Sequence, residues 1–171
     1  MRRFWSLCLF FSLLLTLGFG CARDSRPEPV NSRDICYFIF TDRYLDASSE
    51  NNMDVDKSDP RTRHGGDFQE IRNQLDEIQS LGATMIWLTP VQLNVPGGYH
   101  GYWIDDFMQI DPHLGSLAEL KALVKEAHQR KIKVLLDVVA NQSTTSSICH
   151  LSTITTCRAF ISQETIWQKP S

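Results

Sequence analysis

The chain has 171 residues, of which 42% are hydrophobic and 22% are charged. This balance is typical of a soluble globular domain and too polar for a multispan membrane protein. The formal net charge of −3 indicates no basic surface for nucleic acid. Five cysteines in a chain of this length do not make a disulfide-dense scaffold.

The first twenty residues have the layout of an export signal. A basic start at residues 1–3 is followed by an apolar run over 4–20, and small residues precede Cys21. The alternative is a transmembrane anchor, for which 17 apolar residues are at the short limit. Residues 17–21 (LGFGC) resemble a bacterial lipoprotein box, which implies a lipid on Cys21, although Gly18 stands where leucine is usual.

Cleavage without lipidation is the alternative at this point of the chain. In either case we expect export, to the bacterial periplasm, to the outer membrane as a lipoprotein, or into the medium. Residues 22–34 are polar and proline-bearing, and are predicted to form a flexible linker.

The middle of the chain alternates short apolar runs with amphipathic stretches. The runs predict three buried strands, over 35–41, 84–88 and 132–139. Two helices are predicted between them, the first capped by Asp67 and Glu70 and the second by Ser116 and Glu119. Gly82 is predicted to end the first helix in a left-handed conformation. The long segments between these elements, including 91–115, read as loops.

This β-α-β-α-β order fits either a doubly wound nucleotide-binding sheet or the beginning of a β/α barrel. The nucleotide-binding fold needs a glycine-rich turn after the first strand, whereas this strand is followed by Asp42-Arg43-Tyr44. We therefore predict an α/β fold, the N-terminal part of a (β/α)8 TIM barrel with about three strands and two helices. A full barrel takes about 250 residues, so this one is expected to be incomplete, with the outer edge of the third strand unpaired.

Four segments carry a family resemblance. They are YFIFTDRYLD at 37–46, HGGDF at 64–68, YHGYWIDDF at 99–107 and LLDVVAN at 135–141. In this order and spacing they resemble the N-terminal part of the α-amylase family of glycoside hydrolases, which includes cyclodextrin glucanotransferases and neopullulanases. The resemblance implies hydrolysis or transglycosylation of α-glucans such as starch and maltodextrin, with retention at the anomeric carbon.

The resemblance also implies a set of substrate-binding residues. Tyr102 is expected to stack on a sugar ring, with His100 and Trp103 beside it, and Asp137 is expected to support the −1 sugar site. Gln142 stands where relatives carry a histidine that binds the same sugar, and glutamine can form hydrogen bonds but cannot take up a charge. From the residues alone, a packed aromatic loop and a structural ion pair at Asp137 are the alternatives.

Calcium is the cofactor that the resemblance implies. Asn141 matches the family's calcium-binding asparagine. A second site, found in glucanotransferase-like members, is matched by Asp46, Asn51, Asn52, Gly65 and Asp67. Hard cations take oxygen ligands of these kinds, although Ser48 stands where relatives often have Asn. A solvated, turn-rich loop is the alternative.

The carboxyl groups that cleave the glycosidic bond in this family lie beyond the fourth and fifth strands. We therefore expect no catalytic residue in this chain. Residues 142–171 hold six Ser and six Thr and lack periodicity, which suggests a divergent or frameshifted tail, and Cys149 and Cys157 could pair there. The chain by itself is expected to be inactive. The alternatives are a non-catalytic glucan-binding fragment and a non-functional truncated product.

Overall fold

The computed structural model describes residues 29–138 and the two-residue strand at 159–160. The strands are β1 Cys36–Ile39, β2 Met85–Leu88, β3 Gln92–Asn94, β4 Ile104–Ile110, β5 Lys133–Leu136 and β6 Ala159–Phe160. The helices are α1 Phe68–Asn73, α2 Leu75–Ser80 and α3 Leu117–Gln129, with short 3-10 turns at Thr41–Arg43 and Ser49–Asn51. In the part of the chain described, no helix combines the length and apolarity needed to span a membrane.

The main sheet has the order β1-β2-β5-β6. Strands β1, β2 and β5 are parallel, and each lies beside the next in sequence order, as in a β/α barrel. The three predicted strands are therefore confirmed, with shorter bounds, and the described strands do not close a barrel. The expected unpaired edge is wrong, because β6 pairs antiparallel with β5 at Leu135 and Leu136.

The first predicted helix is divided at Gln74, where φ of −91° and ψ of 3° leave helical geometry between α1 and α2. Its predicted apolar face is confirmed, because one side of both segments is fully buried against the sheet, at Phe68, Ile71, Leu75 and Ile78. Gly82 follows α2 with φ of +83°, as predicted.

The two helix starts differ in their capping. At α3 the Ser116 hydroxyl accepts the Glu119 N–H and the Glu119 carboxylate accepts the Ser116 N–H, so this predicted capping box is confirmed. At α1 the Asp67 carboxylate accepts the Glu70 N–H at 2.7 Å. The reciprocal half is wrong there, because the Glu70 carboxylate accepts hydrogen bonds from Gln74 and from the residue before it.

The hydrophobic core lies between the outer face of the sheet and the helices. Alternate residues of the strands, including Ile86 and Leu88, are fully buried against the helices. The opposite face of β1 is more open, because Phe38 is 49% exposed and meets Trp87 only edge-on, with ring centroids 5.2 Å apart. The prediction of a buried strand therefore holds for one face of β1 and for both faces of β5.

A second, two-stranded sheet interrupts the segment predicted as a loop. β3 pairs antiparallel with β4, and the register shifts on both sides of Leu93. The prediction of a loop over 91–115 is wrong for these strands, because short and irregular strands lack a period that sequence can show. The hairpin carries residues 95–103 between its strands, and the peptide N–H of Val95 donates to the carbonyl of Trp103 at its base.

Candidate functional site

Asp137 lies directly after β5, at the carboxyl end of the parallel sheet. It is 5% exposed, and its Oδ2 accepts a hydrogen bond from the Tyr102 hydroxyl at 2.9 Å. Its other oxygen, Oδ1, is buried and has no hydrogen-bond partner among the described residues. Burial raises the pKa of Tyr102 to about 12, and the hydrogen bond and negative charge of Asp137 add to the effect. The structure thus brings together two of the predicted substrate-binding residues, and it shows no ion pair to Asp137 in the described part.

The ring of His100 lies between the other aromatic groups of the hairpin loop. It stacks on Tyr102 with centroids 5.9 Å apart and meets Trp103 edge-on at 4.7 Å. Its Nδ1 accepts the backbone N–H of Tyr102 at 3.0 Å, so the neutral ring carries its proton on Nε2. Burial lowers the pKa of His100, and the nearby charge of Arg63 lowers it further. His100 is therefore an uncharged hydrogen-bond donor beside the aromatic rings.

Trp103 is 51% exposed, so about half of this large aromatic residue is open to solvent. Its backbone N–H donates to the Asn94 side-chain carbonyl at 2.8 Å, and the Asn94 amide donates to the carbonyl of Gln92 at 2.7 Å. Asn94 is nearly buried and fastens the loop to β3. Sequence reasoning missed this residue because it lies in the segment predicted as a loop, and no local pattern marks it.

Gly101 sets how closely the aromatic loop approaches the sheet. Its φ is +85°, and a side-chain Cβ at this position would lie 2.5 Å from the carbonyl oxygen of Pro90, just after β2. Only glycine satisfies both conditions. The close approach at Gly101 brings the next residue, Tyr102, to the carboxyl ends of β2 and β5, where it contacts Asp137. In β/α barrels this end of the sheet carries the functional groups.

A second cluster of oxygen atoms lies in the loop between β1 and α1. Both Asp46 oxygens accept hydrogen bonds from the Asn52 amide, at 3.0 and 3.1 Å. The side-chain oxygens of Asn51 and Asn52 are buried and have no hydrogen-bond partner in the described part of the chain. Gly65 closes the cluster, because a Cβ there would lie 2.5 Å from Asn52 Oδ1 and 3.0 Å from Asp46 Oδ2. The structure therefore brings together Asp46, Asn52 and Gly65 of the residues predicted for the second calcium site, and Asn51 directly precedes Asn52 in the chain.

Asp67, the fifth residue of that set, is 1% exposed and caps α1. Its Oδ2 accepts the N–H groups of Ala47 and Ser48 at 3.0 and 2.9 Å, which ties the helix start to the loop that holds Asp46. Within residues 29–138, no three side chains of His, Cys, Asp or Glu converge in a manner typical of a metal site. The oxygen cluster has a different composition, since side-chain amides supply two of its oxygen atoms.

The two clusters are connected through the end of β1. The buried Asp42 accepts the backbone N–H of His64 at 3.2 Å and forms an ion pair with Arg43. Burial raises the pKa of Asp42. The Arg43 guanidinium also donates to the carbonyl of Pro60 at 2.7 Å and lies over the Tyr99 ring, 4.3 Å from its centroid. These contacts hold the loop of the oxygen cluster against the aromatic loop.

Several predicted features lie outside the described residues. These are the export signal and Cys21, the metal ligand Asn141, the substrate-binding Gln142, and the cysteines Cys149 and Cys157.

Comparison with known proteins agrees with this geometry. Residues 38–156 match the family model described as alpha amylase, catalytic domain. The chain is 42% identical over 127 residues to a beta/alpha-amylase of Paenibacillus polymyxa, covering 70% of this chain and 11% of the relative. It is 33% identical over 173 residues to a cyclomaltodextrin glucanotransferase of Thermoanaerobacterium thermosulfurigenes, covering 86% of this chain and 24% of the relative.

Solved structures show the same relationship. The Anoxybacillus alpha-amylase aligns with a TM-score of 0.61 and 50% identity, over 61% of this chain and 23% of that one. The Geobacillus thermoleovorans alpha-amylase, solved in complex with acarbose, aligns with a TM-score of 0.56 and 47% identity, over 65% of this chain and 24% of that one. This chain therefore spans less than a quarter of the length of these two enzymes.

The family match covers well over half of the 171 residues, and it contains three of the four segments on which the sequence resemblance rests and all but the first residue of the other. The match ends at residue 156, whereas the predicted boundary between the barrel segment and the tail lies at residue 141. That boundary stays a prediction. The predicted family and its barrel fold are confirmed. The chain belongs to the α-amylase family and carries an N-terminal part of that family's catalytic domain.

Proposed function

We propose that this chain forms part of the α-glucan-binding face of a glycoside hydrolase or transglycosylase that works with retention. The observation that carries the proposal is the hydrogen bond of 2.9 Å between the Tyr102 hydroxyl and Asp137, next to the exposed indole of Trp103. The Tyr102 ring stacks on His100, and His100 meets the Trp103 indole edge-on, so this contact supports a binding surface in which the aromatic loop is fastened to a carboxylate at the end of β5.

This arrangement suits a sugar because a pyranose ring has an apolar C–H face and a rim of hydroxyl groups. The Trp103 indole offers a surface for the apolar face. The Tyr102 hydroxyl, whose proton is directed to Asp137, can accept a sugar hydroxyl through its oxygen, and His100 Nε2–H can donate to one. An acceptor and a donor beside one aromatic surface can fix both the position and the orientation of a sugar ring.

The role that we assign to these residues is binding, not bond cleavage. Retaining hydrolysis needs two carboxyl groups roughly 5 Å apart, one as nucleophile and one as proton donor. Among the site residues described here, Asp137 supplies one carboxylate, and it is engaged by Tyr102. In the complete reaction Asp137, His100 and Trp103 would hold the sugar while other groups transfer the proton and attack the anomeric carbon.

Calorimetric titration of the full chain with maltooligosaccharides tests the proposal. We expect saturable binding that weakens by about two- to twelve-fold in Trp103→Ala, which corresponds to the loss of about 0.5–1.5 kcal/mol of stacking. Met108→Ala is a matched control, because Met108 is also exposed, at 54%, but lies on β4 outside the aromatic loop. Absence of binding, or equal weakening by both substitutions, would contradict the proposal.

We further propose that the oxygen cluster binds calcium. Asp46 would supply a carboxylate, and Asn51 and Asn52 would supply two buried oxygens that have no hydrogen-bond partner within residues 29–138. Calcium takes six to eight oxygen ligands, including carboxylates and amide carbonyls. The absence of a side chain at Gly65 leaves the space next to these oxygens open. Bound calcium would neutralise Asp46 and fix the loop against the start of α1.

Export remains a proposal that rests on sequence. The basic start, the apolar run over 4–20 and the small residues before Cys21 support a secretory signal, with a lipid on Cys21. Mass spectrometry of the mature protein from a bacterial host distinguishes the outcomes. A diacylglycerol-modified Cys21 at the new N-terminus is expected, while an unmodified N-terminus at that position would indicate secretion without an anchor.

A further inference from the structure

Lys57 makes direct contact with the oxygen cluster. Its ammonium group donates to Asp46 Oδ2 at 3.0 Å, and the same oxygen accepts from the Asn52 amide at 3.0 Å. The Lys57 side chain is 59% exposed, so its stem reaches the cluster from solvent and is not held by burial. Asp46 therefore has a positive partner supplied by the chain itself.

This contact satisfies the carboxylate and leaves the rest of the cluster unsatisfied. The side-chain oxygens of Asn51 and Asn52 are buried without a hydrogen-bond partner among the residues that the structure describes, although the ammonium is bound to Asp46. A buried polar atom without a partner destabilises the folded chain, because it has lost its hydrogen bonds to water. A cation with six to eight oxygen ligands can engage the carboxylate and both amides together, whereas the lysine engages the carboxylate.

We propose that Lys57 is an intramolecular competitor of calcium for Asp46. In the metal-free chain the Lys57 ammonium neutralises Asp46, and calcium binding displaces it into solvent. Lys57 thereby lowers the affinity of the site for calcium and limits the electrostatic cost of leaving it empty. This inference rests on the calcium site proposed above and concerns a residue that is not a ligand.

The size of the effect follows from the exposure of the pair. An exposed ion pair stabilises a protein by about 0.2–1 kcal/mol. Low salt leaves the pair unscreened and so favours the upper part of this range, about 0.4–1 kcal/mol. Because calcium binding must break this pair, its removal is expected to tighten binding by roughly two- to five-fold at low salt. The exposure of Lys57 also leaves its ammonium free to move away without disturbing buried groups.

The experiment is calcium titration of the full chain by calorimetry at low ionic strength, comparing the parent with Lys57→Met and Lys121→Met. Methionine keeps most of the aliphatic stem and removes the charge. Lys121 is exposed on α3, so its substitution removes one positive charge from another part of the surface. We expect two- to five-fold tighter binding in Lys57→Met, and a change below about 1.5-fold in Lys121→Met.

Thermal unfolding gives a second measurement. Lys57→Met is expected to show a larger rise in unfolding temperature on calcium addition than the parent, without a rise in the metal-free temperature. Equal affinity in parent and Lys57→Met, or equal tightening in both variants, would overturn the role of Lys57. If calcium binds to none of the three proteins, or binds unchanged to Asp46→Asn, the calcium site itself is wrong and the inference fails with it.

Discussion

Replacement of Tyr102 by phenylalanine tests the central contact of the proposed sugar site. The substitution keeps the aromatic ring, so stacking on His100 is retained. It removes the hydroxyl that donates to Asp137 Oδ2 at 2.9 Å. Asp137 is 5% exposed and its other oxygen has no partner among the described residues, so its carboxylate would lose the one hydrogen bond that the described side chains give it.

The expected cost follows from this burial. A hydrogen bond to a charged group contributes about 1.5–3 kcal/mol, and a buried group left without its partner loses most of that. We therefore expect Tyr102→Phe to lower the free energy of unfolding by about 2 kcal/mol. With a denaturant slope of about 2 kcal/mol per molar urea, the unfolding midpoint falls by about 1 M.

Urea unfolding of the full chain, followed by circular dichroism, measures this change. Tyr99→Phe is the matched control, because Tyr99 lies in the same loop and its described contacts are through its ring, to Phe40, His100 and Arg43. A double-mutant cycle with Asp137→Ala, which removes the acceptor, then isolates the pairwise energy, for which we expect about 1–2 kcal/mol.

Two results would refute the reasoning. One is a loss in Tyr102→Phe no larger than that in Tyr99→Phe, which would show that the hydroxyl contributes nothing specific. The other is a coupling energy with Asp137 below about 0.3 kcal/mol, the level at which independent sites add. Either result would remove the fixed carboxylate from the proposed sugar site.

Three further outcomes are expected from the same loop. Gly101→Ala should cost about 1–3 kcal/mol more than Gly97→Ala in urea unfolding, because both have positive φ but only the first places a Cβ within 2.5 Å of a backbone oxygen. Equal costs would contradict this. Asn94→Ala should weaken maltooligosaccharide binding in calorimetry without abolishing it, because the backbone of Trp103 loses its acceptor; unchanged affinity would count against the role of Asn94. The raised pKa of Tyr102 contributes stability that is present below pH 10 and lost as the pH rises towards 12, so alkaline unfolding should be less steep in Tyr102→Phe. An unchanged slope between those pH values would show that Tyr102 is not the group responsible.

Much of the fold is readable from local pattern. The apolar runs predict β1, β2 and β5, and the helical spacing of Phe68, Ile71 and Leu75 predicts the buried face of the first two helices. These signals are local because burial of one face of a helix or strand requires apolar residues to recur about every two to four positions. For the same reason Gly82 and the capping box at Ser116 are predicted correctly.

Elements that depend on distant partners are not readable in this way. The strands β3 and β4 are short and irregular, and β6 pairs with β5 from a segment without periodicity. The division of the first helix at Gln74 also lacks a breaker such as proline or glycine. Glu70 satisfies the capping pattern but bonds to Gln74, since two local partners compete for one carboxylate.

The sequence by itself determined the family, the order of strands and helices, and the residue types able to bind a sugar or a hard cation. Only the tertiary structure decided that Tyr102 donates to Asp137, 35 residues away along the chain. It likewise decided that Asn94 fastens Trp103 and that Lys57 neutralises Asp46. The reason is physical: periodicity and capping act within a few residues, whereas these contacts form when chain crossings bring separate loops to the same end of a parallel sheet.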